Sequence, residues 1–410
     1  MQWLQLILAL SILVVIHELG HFCFARIFKV RVEKFYMFFN PKFSLVRAKK
    51  INGKWQVKFF APNVEPAAVP ILDAMGNEKK DEKGNTLYRP MTEEEMAALP
   101  EDDWRHYPDN TEWGLGWVPF GGYCAMEGED EDTDNPRSFQ KAAWWKRLII
   151  LVAGSFMNFV TGVVLIALVL SFSKGYTDTK LVSLEPSSSM AVADGLKAGD
   201  RILSLNGTKV DIYSDLALEM HFLQDGQYDV TVERDGQKLK LQDVPFARKD
   251  FGDGNGLRFG MSFGAEKTTF QSVLQQIWPE TRYQIKSVFL SLKMLFTGQA
   301  GVQDMAGPVG IVQIMSETVD SAEGIYAQIL TSLSFGAMIA INLALMNMLP
   351  IPALDGGRVL GLLLTCAIEK ITRKKLDAKY EGYIHGIGMV LLLALMAVIL
   401  FKDIFVIFKR

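Results

Sequence analysis

Only three cysteines, Cys23, Cys124 and Cys366, occur in 410 residues, and none of them forms a C-x-x-C pair. That scarcity excludes a disulfide framework and a cysteine-based zinc site. There is no long basic tract and the formal net charge is -3, which excludes nucleic acid as the main partner. Charge is missing altogether from Leu148 to Phe172 and from Ile325 to Pro350. Charge-free runs of about 25 residues far exceed a buried strand, so a wholly soluble chain is excluded. The averages, 49% apolar and 22% charged, would by themselves fit a soluble protein.

A hydrocarbon core about 30 Å thick takes roughly 20 helical residues to cross. Four stretches qualify: Trp3 to about Phe28, Leu148 to Phe172, Ile325 to Leu349, and Ile384 to Phe401 with an apolar tail to Phe408. The first lies where a signal peptide would, but it has no basic leading region and no small-residue cleavage site before Arg26, so it is expected to be retained. Lys29, Arg31 and Lys34 follow the first span, Lys141, Lys146 and Arg147 precede the second, and Lys370, Arg373, Lys374 and Lys375 separate the third from the fourth. Basic flanks mark the cytoplasmic side, which places Ser173 to Gly324 outside. Lys409 and Arg410 run against this pattern.

Between the first two spans, Val30 to Phe60 alternates apolar and polar residues as strands do, and Pro62 to Glu112 is acidic, with Asp81, Glu82, Glu101 and Asp102 among its charges. An acid run of this kind reads as a solvated surface. Thr92 and Glu95 form a capping box for a short helix from Glu93 to Leu99. Trp113 to Tyr123 is apolar but too rich in glycine for a helix, and a re-entrant hairpin is expected there. Beyond the second span, Lys180 to Phe263 reads as one compact domain. It holds a short helix over Ser189 to Asp194, a strand from Arg201 turning at Asn206-Gly207, a helix from Ser214 to Phe222, and a hairpin at Asp235-Gly236. Its stretch from Ala193 to Gly207 resembles a PDZ domain of the bacterial protease kind, which implies binding of peptide C-termini by strand addition; a plain steric cap is the competing reading. Phe270 to Phe296 is amphipathic, with Trp278, Phe289, Leu292 and Leu295 available to lie on the lipid bilayer.

The first span contains His17-Glu18-Leu-Gly-His21. Histidines at i and i+4 share a helix face and can hold one Zn2+, with the adjacent glutamate within reach of a metal-bound water. Ionisable groups inside an apolar helix are costly unless paired or coordinated, so a functional site is the default inference. A catalytic zinc takes a third protein ligand. Asp355, after Pro350 and Pro352, is the only acid between Gly324 and Glu369 and is the expected third ligand; a helix-capping Asp beside Gly356-Gly357 is the alternative.

His-Glu-Leu-Gly-His together with Asn347-x-x-Pro-x-Pro-x-Leu-Asp355-Gly-Gly resembles the site-2 protease family of intramembrane zinc metalloproteases (peptidase M50-like). The order of parts is similar to the RseP type: Gly121-Gly-Tyr123 precedes the second span, Gly154-x-x-x-Asn158 lies within it, and a PDZ segment and Gly307-Pro-Val-Gly-Ile311 follow. One PDZ-like segment is visible where the best-known members carry two in tandem. The resemblance implies that His17, His21 and Asp355 bind zinc, that Glu18 is the general base, and that Asn158 and Asn347 handle substrate. It implies a metalloendopeptidase that cleaves single-pass transmembrane proteins, such as an anti-sigma factor after a first cleavage, in the bacterial inner membrane. Clearance of remnant signal peptides and a non-hydrolytic PDZ-bearing membrane binder are the alternatives.

The expected architecture is an α-helical polytopic membrane protein with four transmembrane helices, a re-entrant β region and an inserted extracytoplasmic PDZ-like α+β domain. Its parts are a first span over 1–28, a cytoplasmic membrane-associated β region over 29–144, a second span over 145–173, the PDZ-like domain over 176–265, membrane-surface helices over 266–324, a third span over 325–358 and a fourth over 383–408.

Overall fold

A computed structural model describes all residues except 1, 64–67, 72–87, 101–102, 105–109, 130–132, 134, 253–255, 302–306, 374–378 and 410. Asp81, Glu82, Glu101, Asp102, Lys374 and Lys375 therefore lie outside the described residues. The elements run α1 (Gln2–Ile27), β1 (Val32–Phe39), β2 (Phe43–Ile51), β3 (Lys54–Pro62), β4 (Ala68–Pro70), β5 (Tyr88–Pro90), α2 (Glu93–Ala97), β6 (Glu112–Leu115), β7 (Val118–Met126) and α3 (Trp144–Phe172). They continue with β8 (Gly175–Leu184), β9 (Arg201–Leu205), β10 (Thr208–Lys209), α4 (Tyr213–Phe222), β11 (Gly226–Arg234), β12 (Gln237–Phe246), β13 (Met261–Lys267), α5 (Phe270–Phe296), α6 (Pro308–Asp320), α7 (Gly324–Asn347), α8 (Asp355–Thr372) and α9 (Lys379–Lys409). Among the described residues, four helical stretches are long and apolar enough to cross a membrane: Leu8–Ile27, Trp144–Phe172, Gly324–Asn347 and Gly386–Asp403.

The chain forms two compact units. One comprises Met1–Val160, Met305–Ile314 and Leu343–Arg410, the other Thr161–Asp304 and Met315–Asn342. In the first, a five-stranded sheet has the order β3-β2-β6-β1-β7. β1 pairs parallel with β6 and antiparallel with β7. The expected hairpin over Trp113 to Tyr123 is therefore corrected: β6 and β7 do not pair with each other but flank β1. Gly116 between them lies so close to the Phe38 and Phe39 carbonyls that no side chain fits, which routes the chain across the end of β1. β2 and β3 do form a hairpin, turning at Asn52 and Gly53 with φ of 48° and 73°, as Asn-Gly favours. Thr92 and Glu95 make the expected capping box at the start of α2.

Helix α1 lies against one face of this sheet. The Phe22 ring meets Phe35 at 5.5 Å and Trp113 at 4.9 Å, and these two are cross-strand partners. Ala25, Val30, Val32, Phe35, Cys124, Ile150, Leu151 and Leu362 bury a common core between α1, the sheet, α3 and α8. The sheet's opposite side carries polar anchors. Tyr36 donates to Glu112 Oε1 at 2.5 Å, Tyr123 donates to Asn40 Oδ1 at 2.9 Å, and the two rings stack at 5.3 Å. The third apolar helix ends at Asn347, close to the expected end at Leu349, because residues 348–354 contain Pro350 and Pro352 and cannot continue it. Asp355 opens a separate helix, α8, whose N-cap is Leu354.

In the second unit the sheet order is β12-β11-β9-β8-β13, with β10 beside β9. Leu181, Ile202, Leu205, Leu216, Val230, Val232 and Phe246 form its core. Asp235 and Gly236, with φ of 51° and 75°, turn β11 into β12 as expected. The expected helix over Ser189 to Asp194 is corrected to successive turns, in which Ala191 bonds back to Ser188 and Gly195 to Val192. The Ser188 hydroxyl donates to the Phe259 carbonyl at 2.9 Å, which ties this segment to a distant part of the chain. α5 is tied to α4 by Arg282, which reaches Asp211 at 2.6 Å and Asp215 at 2.8 Å, and by Lys286 to Glu219 at 2.7 Å. α5 exposes Phe270, Leu274, Trp278, Phe289 and Phe296, whereas Leu292 and Leu295 are half-buried.

Candidate metal centre

The helical spacing in α1 sets His17 and His21 on one face, and both are buried, at 8% and 7% exposure. Room for two rings comes from glycines. A side chain on Gly20 would meet the Ala153 carbonyl at 2.5 Å and Gly154 Cα at 3.0 Å, so α1 and α3 touch backbone to backbone there. A Cβ on Gly154 would collide with both imidazoles, at His21 Nε2 and His17 Cε1. Neither glycine was marked as a space-maker by the sequence; the signal was a glycine persisting inside an otherwise strongly helical run.

Asp355 reaches the same point from the first turn of α8. Its Oδ2 lies 3.1 Å from His17 Nε2 and 3.4 Å from His21 Nε2, and the two Nε2 atoms are 3.2 Å apart. Asp355 does not cap the helix, since Leu354 holds that position. Two glycines allow this approach. Any side chain on Gly356 would strike the Met348 and Leu349 carbonyls, and any on Gly357 the Ile351 carbonyl, because the proline-containing loop folds back over the first turn of α8. Arg358 ties that turn to Glu129, in the segment after β7, through an ion pair that sequence inspection missed.

The three facing atoms form a nearly equilateral triangle. Ligands of a tetrahedral zinc at about 2.0–2.1 Å are roughly 3.3 Å from one another, so the triangle matches three corners of such a site. His17, His21 and Asp355 are the cluster among the described residues whose ligand atoms converge in this way, all within 4.8 Å. The donor set, two imidazoles and one carboxylate, suits zinc and leaves a fourth position open. Asp355 Oδ2 is buried and lacks a hydrogen-bond donor with good geometry, as expected of an atom meant for a cation.

Glu18 is half-buried. Strand β7 passes beside it, and a Cβ on Gly122 would stand 3.7 Å from Glu18 Cγ. Asn158 is buried on α3, its Nδ2 3.4 Å from His17 Nδ1. Asn347 is half-buried at the last residue of α7, and among the described residues no hydrogen bond joins it to the histidines or Asp355. A further buried acid went unnoticed in the sequence. Asp403, in α9, accepts from the Gly310 N–H at 3.0 Å and so caps the start of α6, where Gly307-Pro308-Val-Gly310 leaves backbone donors free.

Comparison with known proteins agrees with this chemistry. The sequence profile of Peptidase family M50 matches residues 5–83 and 99–395. The zinc metalloprotease RasP of Geobacillus kaustophilus is 28% identical over 98% of this chain and 97% of its own length. The zinc metalloprotease RasP of Shouchella clausii is 32% identical, and the regulator of sigma-W protease RasP of Bacillus subtilis 31%, each over 65% of this chain and 61% of its own. With nearly the whole length matched and four helices that fit a multi-pass membrane protein, the chain belongs to Peptidase family M50, the site-2 protease family, and is a zinc metalloprotease.

Proposed function

We propose that the chain is an intramembrane endopeptidase that hydrolyses peptide bonds within or near the transmembrane segment of single-pass membrane proteins, with zinc held by His17, His21 and Asp355 and with Glu18 as general base. The observation that carries this reading is the triangle of ligand atoms, with edges of 3.1 to 3.4 Å, inside an apolar helix beside a glutamate. A bound zinc supplies Lewis-acid activation of water and of the scissile carbonyl. Glu18, one residue from His17, takes the proton of the attacking water and returns it to the leaving amine.

A transmembrane helix hides its carbonyls in internal hydrogen bonds and must unwind before it is cut. β7 is an edge strand of its sheet and runs beside Glu18, so the unwound substrate adds to it as a further strand. β6 cannot play this part, because β1 and β2 already occupy both of its sides. Asn347, at the end of α7, anchors the extended chain. In the second unit, edge strand β13 and helix α4 meet through Phe263 and Tyr213, at 5.3 Å, and this PDZ-like pair receives peptide C-termini. The basic flanks support a position of this domain outside the cytoplasm of a bacterial inner membrane, with the exposed apolar stripe of α5 on the bilayer surface. The name of the Bacillus subtilis relative, a regulator of sigma-W protease, favours regulated proteolysis of an anti-sigma factor over signal-peptide clearance.

The test is Glu18→Gln in cells that carry a membrane-anchored reporter. Cleavage is expected to fall by at least about a hundredfold while zinc stays bound. Unchanged cleavage would reject Glu18 as the general base and with it the proposed mechanism.

A further inference from the structure

His21 Nδ1 lies 2.8 Å from the Ile150 carbonyl oxygen, which can only accept. The proton of this imidazole is therefore on Nδ1, and Nε2 turns its lone pair toward Asp355 and His17. For His17 to serve as a ligand through Nε2 it must adopt the same tautomer, with a proton on Nδ1 and an acceptor opposite it. The group opposite is the Asn158 amide, 1% exposed, with its Nδ2 facing Nδ1 at 3.4 Å and its Oδ1 buried without a partner. Amide oxygen and nitrogen are assigned from the hydrogen-bond network, and a half-turn about the last side-chain bond exchanges them. The turned amide sets Oδ1 against His17 Nδ1–H, which satisfies the orphaned oxygen and the imidazole in one move.

We propose that Asn158 is a positioning residue of the zinc centre, accepting from His17 Nδ1–H and fixing the tautomer that offers Nε2, in place of the substrate role its motif suggests. A second observation supports it. Ile150, Gly154 and Asn158 are spaced i, i+4, i+8 on one face of α3, and each serves the histidines: a carbonyl for His21, an empty volume for both rings, and an amide for His17. The face α3 turns to α1 is thus the outer layer of the metal site. This inference rests on the zinc-site reading above.

Zinc affinity of the full-length protein in detergent, measured by competition with a chromogenic chelator, separates the roles. Asn158→Leu keeps the size without an acceptor and is expected to weaken zinc binding 10–100-fold. Asn158→Asp keeps an oxygen acceptor without a donor and is expected to stay within about threefold of the wild type. Equal loss in both variants would overturn the proposal, because the donor would then be the group that matters. Wild-type affinity in Asn158→Leu with loss of cleavage would also overturn it, in favour of substrate binding. If Asn158→Leu does not fold, Asn158→Asp alone decides, and a tenfold loss there rejects the acceptor role. His17→Ala is the separate control: wild-type zinc affinity in that variant would reject the site itself.

Discussion

Gly20 on α1 stands directly against Gly154 on α3, with no space for a side chain on either. Backbone contact between the two helices is what admits two imidazoles and a carboxylate into one small volume. Gly154→Ala is therefore expected to displace His17 and His21, with the overpacking costing about 1–3 kcal/mol. Zinc content and reporter cleavage should both fall at least tenfold. Gly336→Ala, whose added methyl would meet only Leu165 Cδ1 at an ordinary 3.6 Å, should leave both unchanged, and equal loss in the two variants would contradict the packing explanation.

Arg358 joins the first turn of α8 to Glu129, and the same turn carries Asp355. Removal of the guanidinium in Arg358→Gln is expected to loosen that turn and lower zinc affinity about threefold to tenfold, less than loss of a direct ligand partner would. The double exchange Arg358→Glu with Glu129→Arg should recover part of the loss. Metal titration of the single and double variants checks it, and no recovery would point to another role for Arg358.

Metal removal gives a third outcome. Treatment with a strong chelator should abolish cleavage, and re-addition of Zn2+ should restore it where Mg2+ does not, since a site of two imidazoles and one carboxylate favours zinc over the harder ion. Restoration by Mg2+ would contradict the ligand set.

The junction of α4 and α5 provides a pH prediction. Burial pushes the Glu280 carboxyl from an ordinary 4.5 up to about 6; the Ser214 hydroxyl opposes the rise and the Asp215 carboxylate adds to it. Below about pH 4.5 both folded and unfolded chains hold this proton and there is no penalty. As pH rises through 6 the folded chain loses it too and bears the full cost, at most about 2 kcal/mol. Glu280→Gln should raise the unfolding temperature by a few degrees at pH 7.5 and leave it unchanged at pH 4, followed by fluorescence of the nearby Trp278. Equal stabilisation at both pH values would reject burial as the cause.

What could be seen in the sequence was what a single helix or turn encodes. The i, i+4 histidines, the Asn-Gly and Asp-Gly turns, the Thr92 cap and the charge-free runs each obey local geometry, so they were found without coordinates. Asp355 was found by elimination, because so few acids lie in the apolar segments. The register of β6 against β1 was hidden, since 78 residues separate Phe35 from Trp113 and nothing local encodes their pairing. The contribution of α3 was hidden for another reason. The Ile150 carbonyl is identical in every residue type, and Gly154 acts by having no side chain. The short helix expected over Ser189 to Asp194 gave way to turns whose serines bond to distant partners, Ser188 to the Phe259 carbonyl and Ser189 to the Ala247 N–H, which nothing local encodes.

His17 and His21 come from the first helix, and Asp355 comes from one near the far end of the sequence. An ion held by all three would close a covalent-like circuit of roughly 330 residues, long enough for its closure to remove substantial freedom from the opened chain. Such an ion would act as a clasp on topology as well as a reagent. Without it, the first turn of α8 would be held less firmly against α1 while Leu362 stays in the core, and amide exchange should quicken first at residues 348–358, where the loop and that turn would depend on the clasp.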